Sequence, residues 1–137
     1  MIRTAVFLAA LLVFVTAAQT ADQPKESLVA LERKLQGEWK GGACQGDWTF
    51  APNGTYAVQH YSPGNNKLTG TWKVRWNALP PTLVLTCKTS DAPDRIKIGE
   101  TMEVKLIQLD DNALAFQYLS QYQQPGGHTD RFNRVKK

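Results

Sequence analysis

The sequence predicts an all-β protein, an eight-stranded antiparallel up-and-down barrel with a short N-terminal helix. Three observations carry that expectation. From residue 38 onward apolar and polar side chains alternate with a period of two. The alternating segments are separated by short runs rich in Gly, Pro, Asn and Asp. No helical periodicity interrupts them. Eight strands in sequence order would leave two unpaired edges as a flat sheet, and curling the sheet shut removes both.

Before the strands, "PKESLVALERKLQG" carries Leu28, Leu31 and Leu35 at helical spacing, with Pro24 suited to a first turn and Gly37 to a left-handed stop. A helix is therefore expected over Pro24–Gln36. The first strand follows at Glu38–Gly41. In "CQGDWTF" the residues Cys44, Gly46, Trp48 and Phe50 share one face and define the second. Pro52-Asn53-Gly54 is a hairpin turn, because Asn and Gly tolerate positive φ. The same residues match an N-glycosylation acceptor, but the turn accounts for them. Thr55–Tyr61 is the third strand.

The fourth strand, Leu68–Trp76, states the pattern most clearly. Leu68, Gly70, Trp72, Val74 and Trp76 face one way, while Thr69, Thr71, Lys73 and Arg75 face the other. Rings displayed as a binding platform would stand on the solvent side, and that side is Thr, Lys and Arg, so these tryptophans belong to the interior. Later strands are expected at Thr82–Lys88, Glu100–Leu109, from Ala113 through "ALAFQYLSQY", and at Arg131–Val135. Asp110, Asp111 and Asn112 read as turn chemistry rather than a catalytic carboxylate pair.

The first residues set the compartment. Arg3 precedes an uncharged apolar run from Ala5 to Val15, and small residues follow at Thr16, Ala17 and Ala18. That is the layout of a cleaved secretory signal, with the cut expected between residues 18 and 21. The run is too short for a bilayer span, which needs ~20 residues. Export to the periplasm or the outside is expected, with no membrane anchor in the mature chain. Residues 22–137 then form a single barrel domain. Loss of residues 1–18 removes one charge, Arg3, from the formal net charge of +4 and leaves +3. The basic residues are scattered rather than gathered on one face, which argues against nucleic acid as a partner. In an oxidising space the two cysteines, Cys44 and Cys87, are expected to form a disulfide.

"LQGEWKG", Leu35–Gly41, resembles the lipocalin signature in which a short helix runs into Gly-x-Trp on the first strand. "WTFAPNGTYAV", "LTGTWKV" and "PTLVLT" look like the small secreted lipocalin-like domains of bacterial proteins, mostly of unknown function. The resemblance spans Leu35 to about Leu119. It implies that Gly37 and Trp39 close the base of the barrel, with Gly70 and Trp72 in the corresponding place on a later strand. Lipocalins proper carry Thr-Asp-Tyr followed by a helix. Here "HTDRF" has Arg131 in place of the Tyr.

No catalytic or metal motif stands out. His60 and His128 lie in separate segments, the cysteines lack metal-ligand spacing, and no nucleophile elbow or phosphate loop is present. An enzyme is not expected, nor a cofactor. Two functions remain. One is a small hydrophobic ligand held inside the barrel, with Trp48, Tyr56, Trp72, Trp76, Phe116 and Tyr118 lining the site and His60 or tyrosine hydroxyls as polar contacts. The other is a protein-interaction or protease-inhibitor module with a filled core, resembling secreted bacterial metalloprotease inhibitors and presenting the loop "YQQPGGHTD" to a partner. Whether the interior is hollow decides between them.

Overall fold

A computed structural model describes residues 27–62, 64–118 and 128–136. The leader, the first helical residues expected from Pro24, and the end of the "ALAFQYLSQY" segment lie outside the described residues. The chain runs α1 (Leu28–Leu35), β1 (Gly37–Lys40), β2 (Asp47–Phe50), β3 (Thr55–His60), β4 (Asn66–Arg75), β5 (Thr82–Ser90), β6 (Thr101–Leu109), β7 (Ala113–Tyr118) and β8 (Thr129–Arg134). Each strand pairs antiparallel with the next, and β8 returns to β1 to close the barrel. The expected fold class is the observed one.

Alternation decides what goes inside. On β4 Leu68, Gly70 and Trp72 are buried while Lys67, Thr71 and Lys73 are exposed. The same inward rows supply Trp48 and Phe50 from β2, Leu83, Leu85 and Cys87 from β5, and Leu114 and Phe116 from β7. In the half of the barrel nearer α1 Phe50, Trp72, Leu83, Leu114 and Phe116 fill the lumen. Phe116 and Phe132 meet at 5.0 Å between ring centroids, and Phe50 meets Trp72 edge-on at 5.9 Å.

That end is also capped. Ser27 opens α1, its hydroxyl accepting from the Ala30 N–H at 3.2 Å. Of the helical leucine row, Leu35 is fully buried and Leu28 stays exposed. The helix stops at Gln36, whose backbone is extended, so Gly37 is not a left-handed helix stop. Gly37 instead starts β1 at φ +125°, where the guanidinium of Arg134 occupies the space a Cβ would take. Trp39 donates its indole N–H to the Leu35 carbonyl at 2.8 Å and carries Arg134 over its ring at 4.1 Å. Gly37 and Trp39 thus stand at the closed base. Trp76 lies just beyond β4, partly buried, and donates to the Glu32 carboxylate at 3.3 Å, tying α1 across that base.

The turns follow their sequence chemistry. Asn53 Oδ1 accepts from the Thr55 N–H and hydroxyl, and Gly54 adopts φ +79°. Asp110 Oδ1 accepts from the backbone N–H groups of Asn112 and Ala113 at 2.8 and 2.7 Å. These bonds, with one from Gln108, hold its carboxyl below the usual carboxylate range.

Two expectations fail near the other end. The strand expected from Cys44 begins only at Asp47, because Ala43, Cys44 and Gln45 form a turn that Gly46 closes at φ +78°. The expected Cys44–Cys87 disulfide is not formed. Both thiols are free: Cys44 is exposed on that turn, while Cys87 is buried on β5 with its Sγ 3.3 Å from the Thr89 carbonyl. The turn takes Cys44 off the inward row that a continuous strand would have given it.

Candidate functional site

Strand direction places residues 41–46, 61–62, 64–65 and 91–100 at the end opposite α1, and there the lumen is hollow. A cavity of about 370 Å³ opens between strands β2 to β8, walled by Tyr56, Val58, Leu68, Leu85, Cys87 and Met102. Trp48 forms its floor. The indole, 3 % exposed, stacks on Phe50 and Tyr56 at 5.8 Å each and meets Phe116 edge-on at 5.6 Å. Its N–H donates to the Gln45 carbonyl at 2.9 Å, which ties the mouth turn to the floor. The barrel is therefore solid below Trp48 and open above it.

Gly70 makes room for the wall. It pairs with Tyr56 across β3 and β4 and with Cys87 across β4 and β5, where the ladder slips by one residue. A Cβ at this position would sit 2.0 Å from the Thr86 carbonyl oxygen and 2.7 Å from a Tyr56 ring carbon. The bare glycine lets the Tyr56 ring lie against β4. Burial, with Cys87 beside it, pushes the Tyr56 hydroxyl up to about 12, so the phenol stays a neutral donor.

The polar groups stand around the mouth. His60, at the end of β3, meets the Trp48 ring edge-on at 6.4 Å. Tyr118, His128 and Asp130 come from the end of β7 and the start of β8, and Arg95, Ile96 and Glu100 from the 91–100 loop. Asp130 is only 5 % exposed, and its Oδ1 lies 2.5 Å from His128 Nε2. Burial, then the charge and hydrogen bond of Asp130, push the Tyr118 hydroxyl far above its usual range. Burial lowers His60 below its ordinary 6.5, with Arg95 adding to the effect and Asp130 opposing it.

The sign of the His60 shift makes a prediction. Its folded value lies below its unfolded one, so the unfolded chain takes up the proton first. The stability that His60 contributes is present above pH 6.5 and is lost as the pH falls through 6.5 toward the folded value. An NMR titration of the imidazole Cε1–H should give a midpoint below 6.5. A midpoint at or above 6.5 contradicts the half-buried placement.

Of the six residues expected to line a ligand site, Trp48, Tyr56 and Tyr118 line the cavity. Trp72 and Phe116 belong to the filled half, and Trp76 to the base. His60, expected as a polar contact, faces the cavity. Asp130 and His128 were not expected there, although stepping back by twos from Phe132 along β8 puts both on the inward row. The 91–100 loop carried no such signal, since a side chain reaching in from a loop obeys no period.

A scan against protein-family models and a search of curated proteins return no match to this chain.

Proposed function

We propose that this is an exported, lipocalin-like binding protein that holds one small, largely apolar ligand in the open half of its barrel. The observation that carries the reading is the 370 Å³ space above Trp48, which falls in the size range of ligand pockets. Its make-up fits as well: an apolar wall with a few polar groups around the mouth. A protein-binding or inhibitor module has no need of a hollow interior, and most of the loop assigned to such contacts, residues 122–127, lies outside the described residues.

One observation favours a second reading, acid–base chemistry. His60, His128 and Asp130 come from distant parts of the chain to the same cavity. The described residues do not show an activated nucleophile. No Ser or Thr among them lines the cavity, the Cys44 thiol at the mouth is exposed on its turn, and burial, with Glu100 nearby, raises the Cys87 thiol away from the thiolate form. Binding requires no such group and is the reading adopted.

The test is a panel of apolar and amphipathic compounds followed by thermal melting and tryptophan fluorescence. A ligand at 100 times its Kd should raise the melting temperature by about 10 °C. It should also alter the emission of Trp48, the one tryptophan of the cavity lining. Met102→Trp, which fills part of the space, should reduce both responses. A panel without any shift rejects the binding reading.

A further inference from the structure

We propose that the ligand of this cavity is a small organic cation, an amine carried on an apolar, preferably aromatic body, with Asp130 as its counter-ion. This rests on the binding reading above and adds the charge and size of the occupant.

The decisive feature is an unfinished carboxylate. Asp130 is 5 % exposed, and its Oδ1 accepts no hydrogen bond among the described residues. Buried carboxylate oxygens are normally satisfied, and one left without a donor beside a cavity calls for a donor from outside. The neighbours do not complete it. Tyr118 hydrogen-bonds the carboxylate, yet Oδ1 remains unsatisfied. His128 Nε2 lies 2.5 Å away but makes no aligned hydrogen bond to Oδ1, and its side chain is 55 % exposed at the rim. A group that well solvated can be displaced at small cost.

The rest of the cavity sets the sign. Its charged side chains are Asp130 and Glu100 against Arg95, while burial keeps His60 toward its neutral form. Two carboxylates facing one guanidinium favour an incoming cation. The tyrosine and tryptophan walls add to that preference, because aromatic rings attract an ammonium group. A neutral oily ligand would leave Oδ1 without a donor, and an anion would set like charge against it.

Volume sets the size. At ~30 Å³ per water, 370 Å³ holds about a dozen waters. That suits a fused bicyclic ring with a short side chain, its ring against Leu68, Leu85 and Met102 and its nitrogen at Asp130.

The test uses three probes of one shape in isothermal titration calorimetry at neutral pH: 2-(1-naphthyl)ethylamine, 2-(1-naphthyl)ethanol and 1-naphthylacetate. The amine should bind at least about tenfold tighter than the alcohol, with the acid weakest. Asp130→Asn should bring amine and alcohol to similar affinity. Where that variant does not fold, the Asp130 carboxyl ¹³C shift in the unaltered protein serves instead: it should move on titration with the amine and hold still with the alcohol. An alcohol that binds as tightly as the amine, or an acid that binds more tightly, overturns the cation inference and leaves the cavity reading standing. Failure of all three to bind overturns both.

Discussion

Gly70→Ala costs the barrel about 3–5 kcal/mol in urea unfolding followed by tryptophan fluorescence, the size reserved for severe core defects. Gly70 is not one of the glycines with positive φ, so backbone freedom is not what it provides. Left to chain entropy alone, alanine in an ordinary strand position would stabilise by about 0.4–1 kcal/mol. Two close approaches reverse that sign: 2.0 Å to the Thr86 carbonyl oxygen and 2.7 Å to the Tyr56 ring. The first is backbone, and β4 and β5 must part for it to yield. The ladder between those strands is the longest in the barrel, so a local shift there spreads. Gly54→Ala is the control. It suffers the strain of φ +79°, but the nearest atom to its Cβ would be the Trp72 carbonyl oxygen at 3.7 Å. Its cost should be about 1–2 kcal/mol. Equal losses for the two variants would refute the close-approach argument.

The same position marks how far sequence reasoning reached. Period-two alternation located all eight strands and put Gly70 and Trp72 on an inward row, because burial of one face leaves a direct imprint on residue order. Alternation says which side a residue faces and nothing of how far along the axis it stands. For that reason the six aromatics expected in one site separate into cavity wall, filled core and base. Depth depends on register, and the register slips at Gly70 and again between Leu106 and Gln108. Cys44 failed for a related cause: a turn took the place of a strand start, and a residue's facing cannot be counted through a turn. Asp130 was readable from alternation, yet a charged residue on an inward row runs against the expectation that charge faces water. Such exceptions concentrate where a protein meets a ligand.

Arg134→Met should cost about 3–4 kcal/mol, and the reason lies where the barrel closes. The ladder between β1 and β8 pairs only Trp39 with Arg134 and Lys40 with Asn133, so backbone bonding there is sparse. Arg134 reinforces it with a side chain that accounts for every nitrogen of its guanidinium. Nη1 donates to the Gln36 carbonyl at 2.8 Å, Nη2 donates to the Lys34 carbonyl, and Nε donates to the Asp111 carbonyl at 2.7 Å. Lys34 and Gln36 stand at the C-terminal end of α1, where carbonyls lack helical partners and a cation is favoured. Hydrogen bonds to charged groups contribute roughly 1.5–3 kcal/mol each when shielded from water, and the contact with the Trp39 ring adds about 0.5–1. Partial exposure keeps the total below the sum of those values. Methionine retains the apolar stem and loses all four interactions. Lysine, with one point charge in place of a planar fork, should recover less than half of the loss. Gly37→Ala supplies the cross-check, since its Cβ would stand 2.7 Å from Arg134 Nη1. In a double-mutant cycle the two substitutions should couple by about 1 kcal/mol or more, with alanine at position 37 less harmful once the guanidinium is gone. Additive losses would mean that Gly37 is required for its φ of +125° alone. The fit between Gly-x-Trp and Arg134 would then have no part in closing the barrel.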